Sequence, residues 1–102
     1  YGYELVFQRQ VEALGRAGDV LIAITTSGTS KNVVAAADAA RALGVKVIGL
    51  TGVRGRAFVD ACDAGVVVPS GDTARIQECH IAFGHILCEL VDRILFPERF
   101  TE

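Results

Sequence analysis

Three short apolar runs, each cut off by a hydroxyl, a glycine or a proline and separated by stretches of helical spacing, leave this chain few ways to fold. The runs are Val20 to Ile24, Val45 to Gly52, and the segment AGVVVPS from Ala64, which Pro69 stops. A continuous apolar run of this length is the pattern of a strand covered on both faces. Between the first two runs, SKNVVAAADAARALG predicts a helix with Ser30 as N-cap, Val33, Val34, Ala37 and Ala40 on one stripe, and Gly44 as terminator. Upstream, Tyr3, Phe7, Val11 and Leu14 recur at helical spacing. Downstream, VRGRAF leads to a short helical turn near Val59. A long helix then runs from Asp72 or Thr73 to about Leu95, with Ile76, Phe83, Leu87, Leu90 and Ile94 as its seam and Pro97 just past its end. Strands alternating with helices give βαβ units. The expected fold class is therefore α/β, a doubly wound parallel sheet with helices on both faces.

Three strands make a thin sheet for a 102-residue chain that is 51% hydrophobic. A chain this small hides a limited share of its apolar surface, so the surplus is expected to be covered by partner chains or by residues that precede Tyr1. Residues 1–102 are accordingly read as one domain, the C-terminal portion of a unit whose first helices and strands lie upstream. Ten basic and twelve acidic residues give a net charge of -2 without charge blocks. That excludes an electrostatic footprint for nucleic acid or a polybasic membrane patch. Cys62, Cys79 and Cys88 form no CxxC pair; they read as buried free thiols of a reducing, cytoplasmic compartment. No apolar run approaches the roughly 18 residues of a membrane span.

The segment TTSGTS, Thr25 to Ser30, follows the first strand and precedes a helix. Ligands of open parallel sheets bind beyond the carboxyl ends of strands, and a helix N-terminus attracts anions. Thr25, Thr26, Ser27 and Ser30 each offer a hydroxyl, and Gly28 lets a backbone come close. No lysine or arginine lies within the loop, and there is no Walker pattern. Neutral donors suit a sugar phosphate; the plain alternative is an ordinary βα connection in which Ser30 caps a helix.

TTSGTS followed by KNVVAAADAARALGVKVIGLTG resembles the sugar isomerase (SIS) domain family, flavodoxin-like three-layer αβα proteins whose Ser-Thr-Ser-Gly-Asn-Ser loop binds the phosphate of a phosphosugar. Thr25 and Thr29 depart from that pattern; the first keeps its hydroxyl, and the second loses an amide. DTARIQECHIAFGHILCELVD, Asp72 to Asp92, is similar to the terminal helix of the phosphoheptose isomerases within the family. The resemblance implies isomerisation of sedoheptulose 7-phosphate to D-glycero-D-manno-heptose 7-phosphate through an enediol, which feeds nucleotide-activated heptose for lipopolysaccharide or other surface glycans. It implies substrate binding by Thr25, Thr26, Ser27, Ser30 and Gln77, a zinc ion held by Gln77 and His85, proton transfer by His85, and a homotetramer with sites at subunit interfaces. The family's glutamate base, its His-x3-Glu metal pair and its Gly-Gly-Ser turn do not occur in this chain, which is expected to be inactive alone; Glu78 is no substitute. Eight residues of helix rise about 12 Å, too far for two ligands of one metal, so either the helix is broken between Gln77 and His85 or, the favoured expectation, one ligand comes from a neighbouring subunit.

The resemblance also admits a non-catalytic reading. Partner-binding SIS proteins that assist the bacterial replication initiator share the Arg-Ile-Gln-Glu sequence and an ending like ILFPERF. The histidine at 85 favours the enzyme, and a phosphosugar-sensing module stands third. His80 reads as an interface hydrogen-bonding residue, Arg54 and Arg56 as loop cations that could reach a substrate hydroxyl or phosphate but are more commonly just solvated, and Arg75 as half of a structural ion pair.

Overall fold

The computed structural model describes residues 2–100. A 3₁₀ turn at Tyr3–Leu5 leads into α1 (Val6–Leu14), followed by β1 (Val20–Ile24), α2 (Lys31–Ala42) and β2 (Lys46–Gly52). A 3₁₀ turn at Val53–Gly55 then leads to α3 (Arg56–Asp60), β3 (Ala64–Val68), α4 (Thr73–Leu95) and a last 3₁₀ turn, Pro97–Phe100. The strands form one parallel sheet in the order β1-β2-β3, with Ile22 opposite Ile48 and Leu50 opposite Val66.

Side chains of β2 alternate between two layers. A Cβ on Gly49 would meet Phe58 and Cys62 of the α3 side, whereas one on Gly52 would meet Ile76 of α4. One face of the sheet therefore belongs to α1, α2 and α3, the other to α4, which is the expected three-layer arrangement. The core lies on the first face, where Ala23, Ala37, Ala40, Val45, Val47 and Phe58 pack together. The small side chains of α2 let its axis approach the strands closely, and Ala37 and Ala40 lose all solvent contact.

Gly44 ends α2 as expected, at φ +79°. Its N–H donates to the Arg41 carbonyl, and the Val45 N–H donates to that of Ala40, the paired bonds of a Schellman motif. Ser30 stands at the N-cap position but makes no capping bond; its hydroxyl is drawn back to Thr25 instead. Asp72 does cap α4, accepting from the Ala74 N–H at 2.9 Å.

Three expectations of burial fail. β1 is an edge strand, and on the α4 face Val20, Ile22 and Ile24 remain 55%, 43% and 54% exposed, because α4 packs against β2 and leaves β1 uncovered. Within α4, Ile76 is buried and Phe83 and Leu87 are half-buried, but Leu90 and Ile94 face outward. The cysteines are free, yet only Cys62 is even partly buried; Cys79 and Cys88 are exposed on α4. No helix among the described residues is long and apolar enough to cross a membrane.

Candidate functional site

The carboxyl ends of all three strands open on one side of the sheet, where hydrogen bonds fasten the loops to one another. The Thr25 N–H donates to the Leu50 carbonyl, the Gly52 N–H to that of Thr26, and the Val53 N–H to that of Ser70, all at 3.0 to 3.1 Å. Gly28 has φ +74°, and a Cβ there would lie 2.7 Å from the Gly55 Cα. Only glycine permits both that conformation and that approach, and the approach brings the turn after β2 against the hydroxyl loop.

Between these loops lies a cleft of about 120 Å³ lined by Thr26, Ser27, Arg54, Ser70, Gly71, Thr73 and Ile76. Four hydroxyl-bearing residues and one arginine line it, with no acidic residue among them. The positive end of the α4 dipole adds to the same side. A larger hollow of about 280 Å³ beside β1, lined among others by Phe7, Val11, Ile24 and Val33, is almost wholly apolar and offers nothing to orient a charged ligand.

The hydroxyl loop divides into an inner and an outer part. Thr25 is buried; its Oγ1 accepts the Gly28 N–H at 3.2 Å and lies 2.8 Å from the Ser30 Oγ. These two side chains shape the turn from within. Thr26 and Ser27 reach the cleft, and the Ser27 Oγ also accepts the Thr29 N–H at 3.1 Å and lies 2.8 Å from the Thr29 Oγ1. The first turn of α2 is not sealed by Ser30, and the Asn32 Oδ1 accepts the Val33 N–H at 2.8 Å.

Gln77 and His85 are both exposed on α4 and do not line the cleft. α4 is continuous from Thr73 to Leu95, so the helix is not broken between them and eight residues put about 12 Å of axial rise between the two side chains. Among the described residues no three His, Cys, Asp or Glu side chains converge as a metal site. One copy of this chain therefore does not fit a complete zinc centre.

His80 is the most buried titratable side chain of α4, at 4% exposure. Its Nε2 lies 3.0 Å from the Thr51 carbonyl. Since a carbonyl only accepts, Nε2 carries the proton, while Nδ1 has no partner among the described residues. Thr51 immediately precedes the Gly52 that holds Thr26, so His80 fixes α4 to the floor beneath the cleft. Arg75 pairs with Glu78 at 3.1 Å, an exposed pair of small energetic consequence. Of the thiols, Cys62 has its pKa raised by burial, with Arg41 opposing the shift.

Ser70 and Thr73 carry no signal in the sequence, and Arg54 reads there as a cation able to reach a phosphate but more commonly solvated. They stand at the carboxyl ends of β2 and β3, where the open-sheet rule applies as it does to β1. Only the end of β1 announces itself by composition, with five hydroxyls in six residues.

Comparison with known proteins places these features in a lineage. A model of the SIS domain matches residues 2–52. The chain is 56% identical over 98 residues to a phosphoheptose isomerase of Roseiflexus sp., covering 96% of this chain and 50% of that protein. It is 59% identical over 92 residues to one of Nitratiruptor sp., covering 90% of this chain and 49% of the other. A solved structure of a phosphoheptose isomerase from Neisseria gonorrhoeae superposes with a TM-score of 0.85 at 47% identity, covering 90% of this chain and 52% of that one. The chain thus spans about half the length of the relatives it matches.

Proposed function

The chain belongs to the SIS domain family, and from that premise we propose that it forms part of a phosphosugar isomerase acting on sedoheptulose 7-phosphate. The observation that carries the reading is the cleft at the sheet's carboxyl ends, where neutral hydroxyls and one guanidinium converge and carboxylates are absent. Such a lining fits a phosphate monoester better than a magnesium nucleotide, whose metal needs carboxylate or water ligands. The names of the relatives point to a heptose phosphate.

Isomerisation between aldose and ketose needs a base to take the proton beside the carbonyl and an acid to return one to the neighbouring carbon. On this reading Thr26 and Ser27 hold the phosphate end, Thr25 and Ser30 keep that turn in shape, and Gln77 orients the sugar. The His85 imidazole moves a proton. His85 lies nine residues beyond Ile76, about 13 Å along the helix axis from the cleft, so it acts in the cleft of another subunit. A homotetramer would bring these parts together. Zinc, if the family pattern extends to this protein, would polarise the sugar oxygens; Gln77 and His85 would each give one ligand to a centre completed by other residues. No step is derived through it. A cytoplasmic location and a role in making nucleotide-activated heptose complete the proposal.

The test is the reaction in D₂O with the protein as encoded. An enediol route deposits deuterium on the carbon next to the carbonyl, read by proton NMR of the recovered heptose phosphate. His85→Ala should lower turnover at least 100-fold with little change in melting temperature, since the side chain is exposed. Conversion without deuterium exchange, or full turnover in His85→Ala, would sink the assignment.

A further inference from the structure

Resting on the phosphosugar reading above, we propose that Arg54 is the charge-pairing residue of the phosphate subsite. Hydroxyls hydrogen-bond a phosphate dianion but do not neutralise it, and an uncompensated anion in a cleft is costly. Arg54 is the one cation in the lining. The salt bridges among the described residues engage Arg41, Lys46, Arg75 and Arg93, which leaves the Arg54 guanidinium uncommitted. The nearest acid in sequence on the far wall, Asp72, already accepts the Ala74 and Arg75 N–H groups at the start of α4.

The backbone on both sides of Arg54 is held. Before it, the Val53 N–H donates to the Ser70 carbonyl at 3.1 Å; after it, the buried Gly55 packs against Gly28. Arg54 therefore stands on a fixed base, in the lining of a cleft it shares with Thr26 and Ser27 of a loop whose own sequence contains no cation. A planar fork of donors matches two phosphate oxygens at once. The site would be split between two strand ends, with hydroxyls from the end of β1 and charge from the end of β2.

The experiment is titration calorimetry of sedoheptulose 7-phosphate and, separately, inorganic phosphate, into the protein as encoded and into Arg54→Gln and Arg54→Lys, at low and high salt. Arg54→Gln should bind both probes about tenfold more weakly or worse, with reduced salt sensitivity and an unchanged melting temperature, and Arg54→Lys should recover part of the loss. Affinities within twofold of wild type in Arg54→Gln would overturn the inference while leaving the phosphosugar reading intact. A loss confined to the sugar phosphate, with inorganic phosphate unaffected, would also overturn it, since Arg54 would then touch the carbon skeleton. Failure of the unaltered protein to bind the sugar phosphate would remove both.

Discussion

The first two turns of α4 and its last three both carry apolar side chains, the last three more densely, and meet opposite surroundings. In the first, Ile76 is 3% exposed against the backbone of Gly52, and His80 bonds the Thr51 carbonyl. In the last, Ile86, Leu90, Ile94 and Leu95 are all at least 50% exposed. The same helix is a core element at one end and a bare rod at the other. Apolar spacing specifies that a face is to be buried, and says nothing of what buries it. Among the described residues the end above β2 packs against the sheet, whereas the far end meets only the 3₁₀ turn that follows it, where Arg93 lies over the Phe100 ring.

That contrast can be broken most directly by paired truncations. Ile76→Ala should cost about 2–5 kcal/mol in urea unfolding, the range for emptying a buried aliphatic site, whereas Ile94→Ala should stay within about 0.5 kcal/mol at concentrations where light scattering finds a monomer. Equal costs would mean that the far half is covered in solution. His80→Ala should lose about 2 kcal/mol, because it strands the buried Thr51 carbonyl as well as removing a hydrogen bond, and a loss no larger than that of Ile94→Ala would deny His80 its role as the anchor. Asp72→Ala removes the cap and should cost about 1 kcal/mol, seen as fraying of the first turn in amide exchange that does not reach the last.

The smallest effect belongs to the opposite face of the sheet. Burial raises the Cys62 pKa above its ordinary 9.0, so the folded state holds the thiol proton more tightly than the unfolded chain does. The stability this contributes is fully present below about pH 9 and declines as pH rises beyond it. Cys62→Ala should abolish that alkaline decline in a urea-midpoint series, and an unchanged slope would exclude the thiol as its source.

Much of the fold was legible in the residues. The bounds of β1, the close of α2 at Gly44 and the extent of α4 follow from local rules, because apolar runs, positive-φ glycines and carboxylate caps act over a few residues. The site was legible at one strand end only. Thr26 and Ser27 line the cleft, whereas Ser30, read both as a helix cap and as a phosphate-binding hydroxyl, turns inward to Thr25. Arg54 looked like a solvated loop cation, since nothing in VRGRAF records that Gly55 will rest on Gly28.

The sequence by itself determined the alternation of strands and helices, the parallel sheet and the family, because each rests on patterns read within one segment. Which hydroxyl-bearing residues line the cleft, which end of α4 is buried and which strand lies bare were decided by the tertiary structure. Those properties depend on contacts between segments tens of residues apart, and such contacts exist only once the chain has closed on itself.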